Sequence, residues 1–420
     1  MNKDSKLTFI TLWRLNDWGK YNRRDEALLS ELSGRQEVEQ VLHIEHISLR
    51  GLLYQTLDWM KEKDESLRRV YKCHTLKGWS PYPVTVREQG KYSIYSVVIP
   101  YGGTNPLLKK IGDSIVRMQY RAINRHVDRR GTKVILTIYL PSENLGKAVP
   151  AIKHDLLIAD FEDDTAERAS DPARREWIIR NYREYLPLCE WVFSNSASMD
   201  KKYRGFAGQE IALVPNGVDP QIFRVNGNGK VLAANGRKVV GYVGIINREI
   251  DMDLVLYLID CFPEVDFVFI GATAKERSRD MRELTEKFVN IHYLGERHYV
   301  DVPAYLAGCD VLINIKRNDN TTAGGESQKL YEYLTTGKPI VSTPVPPADQ
   351  FADLVYVATC KERFAELLTI ALAEDDPRLR EMRKNAAYEN SWAKRADVIL
   401  CRVHSLLNDD HKSLGTVAHA

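Results

Sequence analysis

The sequence is short of the features that staple, anchor or strongly charge a protein. Its six cysteines (Cys73, Cys189, Cys261, Cys309, Cys360 and Cys401) stand far apart, and no two form a Cys-x-x-Cys pair. A structural zinc site built on such pairs is therefore unsupported. Cys189, Cys261, Cys309 and Cys401 sit in apolar runs, where the expectation is a small, buried, reduced thiol. No apolar run reaches the roughly 18 residues that a transmembrane helix needs. The polar start, Met1 to Lys6, leads into an apolar stretch too short for a secretory leader, so a cytoplasmic location is expected. The net charge of +2 is too small for a protein that coats nucleic acid. Also missing is the Gly-x-Gly-x-x-Gly of a dinucleotide enzyme; the nearest string, Gly241-x-x-Gly244, has the wrong spacing.

What is present is an alternation of short β-rich runs and helical stretches. In the first half, runs such as Leu7–Leu12, Tyr92–Ile99, Leu156–Phe161 and Trp191–Ser194 are separated by helical patterns at Asp25–Leu32, Leu107–Arg130 and Pro172–Leu186. After a turn-rich stretch at Asn226–Lys230 a second series begins, with Val239–Val243, Asp266–Ile270, Val311–Ile315 and Pro339–Ser342 as strands. Strands alternating with helices imply parallel sheets covered on both faces. A chain of 420 residues allows two such units at roughly 100–200 residues each. The expected divisions are 1–225, 226–385 and a last helical segment with a polar tail, 386–420. Open parallel sheets bind ligands at the carboxyl ends of their strands. The ligand site is accordingly expected in a cleft between the units.

The most informative segment runs from Thr321 to Thr343. A Gly324-Gly325 pair follows a strand and a polar loop, then opens a helix through Glu326-Ser327-Gln328-Lys329-Leu330-Tyr331-Glu332. Backbone N–H groups and the dipole at such a helix start favour an anion, typically a phosphate. Leu330 and Leu334 share one face, while Lys329 and Glu332, three apart, share another. A lysine in a first helical turn opposes the dipole, and an arriving diphosphate relieves that conflict. A carboxylate one turn on accepts hydrogen bonds from two ribose hydroxyls. The bland alternative is an exposed Lys–Glu pair on an ordinary helix.

The string Lys-Leu-Tyr-Glu-Tyr-Leu-Thr-Thr-Gly-Lys-Pro-Ile-Val-Ser-Thr from Lys329 to Thr343 resembles the donor-site helix of GT-B glycosyltransferases, above all the large family-four group. The resemblance implies an α/β fold of two Rossmann-like domains facing a cleft, with the last helix returning to the first domain. It assigns the donor ribose to Glu332 and the diphosphate to Lys329, with Gly324, Gly325, Glu326 and Ser327 around it. Many members carry a second glutamate seven residues before the ribose ligand; here that position is Gly325, with Glu326 one residue late. Val214-Pro215-Asn216-Gly217-Val218-Asp219 through Phe223 is similar to the string that closes the first domain in the same family. Gly241-Tyr242-Val243-Gly244 is similar to the opening of the second domain in exopolysaccharide-type members, with Gly244, Arg248 and Lys316 as further phosphate-side candidates.

In the first half, Leu156 to Asp164 is a strand running into four acids, Asp160, Glu162, Asp163 and Asp164. It resembles a segment of teichuronic-acid and exopolysaccharide glycosyltransferases. Asp163 and Asp164 are the candidates for a general base whose pKa is lifted by its neighbours. The alternatives are capping of the next helix and plain solvation. The loop Trp13–Arg24 borders the acceptor in the resembling enzymes, or is a surface loop. The function implied is hexosyl transfer from a nucleotide diphosphate sugar to a glycan or lipid-linked acceptor in cell-surface polysaccharide synthesis, without a metal or other cofactor. Peripheral contact with the inner face of a membrane is part of that expectation. Two rivals stay open: a metal-dependent GT-A-like transferase using Asp160, Glu162 and Asp163, and a non-catalytic nucleotide-sugar-binding protein.

Overall fold

The computed structural model describes residues 6–13, 24–61, 84–87, 92–100, 105–127, 129, 131–223, 236–317, 319 and 325–415. Most of the Trp13–Arg24 loop, the 226–230 turn and Gly324 lie outside them. The chain divides into two compact units: one holds Met1–Val214 with Arg395–Ala420, the other Pro215–Lys394. The divisions thus fall about ten residues from the 225/226 and 385/386 positions read in the sequence.

The first unit is built on a sheet whose order is β3-β4-β2-β1-β5-β6-β7-β8. These strands are β1 (Lys6–Leu12), β2 (Val38–Ser48), β3 (Val84–Arg87), β4 (Tyr92–Ile99), β5 (Thr132–Tyr139), β6 (Leu156–Asp160), β7 (Trp191–Ser194) and β8 (Ile211–Leu213). All pairings are parallel except that of the edge strand β3 with β4. The helices are α1 (Arg24–Ser33), α2 (Leu49–Lys61), α3 (Pro106–Ile123), α4 (Leu145–Ala148), α5 (Thr165–Arg168), α6 (Pro172–Tyr185) and α7 (Ala197–Ala207). Asn105 caps α3 by accepting from the amides of Leu107 and Leu108, and Pro106 at its first position needs no hydrogen-bond partner. The helix stops at Ile123, short of the expected Arg130, where Asn124 turns its amide to Ala151 O at 2.8 Å.

The second unit has the order β11-β10-β9-β12-β13-β14, all parallel. Its strands are β9 (Val239–Val243), β10 (Asp266–Ile270), β11 (Ile291–Tyr293), β12 (Val311–Asn314), β13 (Ile340–Ser342) and β14 (Tyr356–Val357). Its helices are α8 (Met252–Cys261), α9 (Ser278–Lys287), α10 (Val302–Ala307), α11 (Gln328–Thr336), α12 (Lys361–Ala373) and α13 (Pro377–Glu389). Strand order thus reverses between β9 and β12, the doubly wound arrangement in which ligands sit at the strands' carboxyl ends. Residues Val240, Phe267, Phe269, Val311 and Ile313 are buried on one sheet face and Val239, Val243, Val268, Ile270 and Leu312 on the other. A strand covered on both sides reads as an unbroken apolar run.

Two expectations change. The pattern from Pro377 to Leu407 is two helices, α13 and α14 (Trp392–Gly415), because Asn390 and Ser391 leave the helix to pair with Val218: Val218 N donates to Asn390 O and Trp392 N to Val218 O. And of the four cysteines in apolar runs, Cys189 and Cys309 are buried whereas Cys261 and Cys401 are exposed on helix surfaces. Burial pushes the Cys309 thiol up to about 12, which keeps it protonated and inert.

Candidate functional site

The second unit concentrates its candidate residues where the strand order reverses. Past the end of β9, Gly244 adopts φ 145°, and past the end of β10, Gly271 adopts φ 141°. A Cβ on Gly271 would lie 2.1 Å from Gly244 O, and one on Gly244 would lie 2.7 Å from Lys329 Nζ. Only glycine fits either position, so backbone is laid bare beside the lysine.

Lys329 comes from the first turn of α11. Its Nζ donates to Tyr242 Oη at 2.6 Å and lies 4.1 Å from the centre of the Tyr242 ring. Tyr242 in turn donates to Ile245 O at 3.2 Å. Among the described residues no carboxylate forms an ion pair with Lys329. Burial, followed by the repulsion of Lys316, lowers its pKa to about 7. The ammonium is therefore held at a cost and gains from any anion that arrives.

One turn on, Glu332 is 7% exposed. Its Oε1 accepts from Tyr299 Oη at 3.0 Å and from Gln328 Nε2 at 3.2 Å. Burial raises its pKa. Tyr333 fixes the same helix to the end of β9, accepting from Val243 N at 2.9 Å and donating to Val243 O at 3.3 Å. Gly337 ends the helix at φ 71°, the left-handed stop read from the sequence. Lys329 and Glu332 are thus not the exposed surface pair of the bland alternative.

The segment before α11 is tied down from within. Glu326 is buried; its Oε2 accepts from Asn216 N at 2.5 Å and its Oε1 from Tyr331 Oη at 2.6 Å. Ser327 N donates to Pro346 O at 2.8 Å, and its hydroxyl lies 3.4 Å from Asn314 Oδ1. The two motifs quoted separately, Pro-Asn-Gly-Val-Asp and the α11 segment, are joined by the Asn216–Glu326 contact. Glu326 is engaged in holding that loop, and Ser327 in joining β12 to a neighbouring turn. Gly325 is partly exposed, immediately ahead of them.

Lys316 leaves β12 on the same side, but its Nζ is 2.9 Å from Glu249 Oε2 and both side chains are largely covered. Its charge reaches Lys329 as repulsion rather than as a free contact. Arg248 is exposed in the turn after β9. Arg317 pairs with Asp319 at 2.6 Å.

In the first unit the acid run is satisfied from inside. Asp160 accepts from the buried Arg24 Nε at 2.8 and 3.1 Å, and Glu162 approaches the same nitrogen at 4.0 Å. Asp163, in the left-handed region at φ 37°, pairs with Arg168 at 2.9 Å. Asp164 is fully buried: it caps α5 through Glu167 N at 3.1 Å, accepts from Tyr203 Oη at 2.7 Å, and meets Lys202 Nζ at 2.8 Å. A general base must reach the hydroxyl that it deprotonates. Asp164 is spent as a helix cap, and of the two candidate acids only Asp163 retains exposure. Asp160, bound to Arg24, is likewise a poor start for a metal ligand set, and among the described residues no cluster of acids, histidines and cysteines is arranged to hold a metal.

Comparison with known proteins adds the family. Residues 228–390, which hold this whole constellation apart from Asn216, match the family described as glycosyl transferases group 1. That match falls within the second unit and leaves the first outside it. Over 204 residues the chain is 26% identical to a protein of Bacillus subtilis named putative teichuronic acid biosynthesis glycosyltransferase TuaH, covering 46% of this chain and 50% of that one. The chain therefore spans about half the length of the curated relative that it matches. Among solved structures it is similar to sucrose-phosphate synthase from Thermosynechococcus elongatus (TM-score 0.66, 11% identity, 96% of this chain and 100% of that one). It is also similar to Anabaena HepE, solved with UDP and glucose (TM-score 0.59, 14% identity, 95% and 100%). Such identities show the fold alone: two parallel α/β sheets of the GT-B kind.

Within residues 228–390, three side chains that touch the constellation carried no signal in the sequence. Tyr242 stood in a quoted string without a role, and Tyr299 and Glu249 lie 33 and 67 positions from Glu332 and Lys316. Their proximity depends on sheet register, which periodicity does not report.

Proposed function

We propose that the chain transfers a hexosyl group from a nucleoside diphosphate sugar to a glycan or lipid-linked acceptor during cell-surface polysaccharide synthesis. The observation that carries this reading is Lys329, a cation without a carboxylate partner among the described residues, set against the bare backbone of Gly244 and one turn ahead of the buried acid Glu332. A diphosphate beside Lys329 and Gly244 gives the ammonium its missing counter-charge, and Glu332 then accepts from the ribose hydroxyls. The amide of Gly325 and the cations Arg248 and Lys316 are assigned to the same phosphate side, while the Ser327 amide is taken by Pro346 O and Glu326 supports the loop ahead of α11. The names of the relatives support the substrate class: one is a teichuronic acid biosynthesis glycosyltransferase, and another was solved with UDP and glucose.

In this mechanism the negative charge that builds on the departing diphosphate is met by Lys329 and by the amino end of α11, without a metal. Asp163 is the acid to test as the base on the acceptor hydroxyl, and the first unit is where the acceptor would bind. Contact with a membrane surface, as a peripheral protein at its inner face, belongs to the same reading. The test is release of nucleotide from a panel of UDP- and GDP-sugars, run beside calorimetric titration with UDP and GDP. Binding without release in the presence of any glycan or lipid-linked acceptor would favour the non-catalytic alternative. Activity that disappears in chelator and returns with Mn²⁺ or Mg²⁺ would favour the metal-dependent one.

A further inference from the structure

We propose that the outer face of α3 docks on an anionic lipid surface. The inference rests on the membrane contact proposed above, and names the surface that makes it. An ordinary covering helix buries one stripe and shows water a polar one. Helix α3 does bury a stripe, at Gly112, Val116, Tyr120 and Ile123. On its other side it exposes a second apolar stripe: Leu107 is 68% exposed, Ile111 50%, Ile115 37% and Met118 64%. These residues recur at helical spacing and line a shallow hollow of about 470 Å³.

Charge decides what this stripe faces. Along one flank the helix presents Lys110, Arg117 and Arg121, all exposed, and among the described residues none of them pairs with a carboxylate. The acid of the helix, Asp113, is bound to Lys147 at 2.8 Å and so does not offset them. Protein interfaces are depleted in lysine but enriched in arginine, so the single sign of the charge rather than the residue type distinguishes this face. An apolar stripe beside cations of one sign is instead the chemistry of a helix lying in the plane of an anionic bilayer. Helix α2 of the same unit repeats it, with Leu49, Leu53, Leu57 and Met60 exposed and Arg50 and Lys61 beside them. No helix among the described residues is long and apolar enough to cross a membrane, so the contact is one of lying on it.

The test is co-sedimentation of the full chain with vesicles of phosphatidylcholine alone or with about a third phosphatidylglycerol. We expect binding to the anionic vesicles only, weakening as salt is raised. The triple variant Lys110→Gln, Arg117→Gln, Arg121→Gln should bind on the order of a hundredfold more weakly, about fivefold for each cation. The triple variant Leu107→Ser, Ile111→Ser, Met118→Ser should lose the binding that survives high salt. These side chains face solvent, so the melting temperature and UDP titration of both variants should match wild type. Equal binding to both vesicle types, or wild-type binding by both variants, would overturn the proposal. So would a wild-type dimer that the serine variant converts to monomer, since the stripe would then be a contact between copies. Because UDP is titrated on the same preparations, failure of the donor reading and failure of the lipid surface are seen separately.

Discussion

Two clusters of charge stand at the carboxyl ends of parallel strands, one in each unit, and they are finished differently. After β6, Asp160 meets Arg24, Asp163 meets Arg168, and Asp164 meets an amide, a phenol and Lys202. After β9 and β12, Lys316 has Glu249, but among the described residues Lys329 meets the Tyr242 hydroxyl and ring and no carboxylate. In the first cluster Asp160, Asp163 and Asp164 each find a cation inside the protein and behave as structure. The second carries an uncompensated cation in a covered place, which costs free energy unless something else supplies the opposite charge. The first was read as a strand running into acids and the second as a helix start behind a glycine pair; what separates them in the structure is whether the protein completes the pairing itself.

The largest expected effect tests the structural cluster. Asp164→Ala removes a cap and leaves the buried Tyr203 hydroxyl without its acceptor, so we expect a loss of about 2–4 kcal/mol in urea unfolding. UDP affinity should stay unchanged. A variant as stable as wild type but unable to turn over would return Asp164 to the catalytic candidates. Next, Glu332→Ala should cost about 1.5–3 kcal/mol of donor affinity, on the order of 10- to 100-fold. Burial already penalises the Glu332 charge, so the empty protein should not be destabilised. Calorimetry showing equal affinity would remove the ribose role.

Lys329→Ala should lower turnover about tenfold, the equivalent of about 1.4 kcal/mol of transition-state stabilisation. Lys316→Ala, already paired, should cost less; the reverse order would dissolve the comparison. The smallest effect is in pH. The free protein holds Lys329 at about 7, and a bound diphosphate raises that value. Nucleotide binding should therefore take up protons at about pH 8, above the phosphate ionisation near 6. Affinity should fall as pH rises from about 7 toward the pKa of the bound state, by at most tenfold per unit. Calorimetry in buffers of different ionisation enthalpy measures the uptake, and a value of zero would mean that Lys329 does not face the anion.

Much of the fold could be read from the chain. Val239–Val243 and Asp266–Ile270 are strands with the bounds that their apolar runs indicate, because strands buried on both faces have no polar interruption. Helix α2 went unread because most of its apolar residues stay exposed rather than marking a core-facing stripe, and the edge strand β3 is only four residues long. The division of α13 from α14 was illegible for a different reason. The apolar period continues through Asn390 and Ser391, and only their pairing with Val218, far back in the chain, breaks it. At the candidate site, the glycine turn at Gly244 and the helix start that carries Lys329 and Glu332 were legible from local strings, since both are local features. That Glu326 turns inward and that Tyr299 reaches Glu332 were not, because both contacts cross between elements.

The pairing at Val218 reaches further than its two hydrogen bonds. Gly217 has no room for a side chain, since a Cβ would touch Asn390 O at 3.0 Å and the Trp392 ring at 3.1 Å. Its neighbour Asn216 holds Glu326, which precedes α11 by two residues. The beginning of the final helix is thus joined to the segment ahead of α11 through a relay of short contacts. The carboxy-terminal helix and the loop ahead of α11 therefore share one packing seam, although more than sixty residues separate Trp392 from Glu326 in the chain.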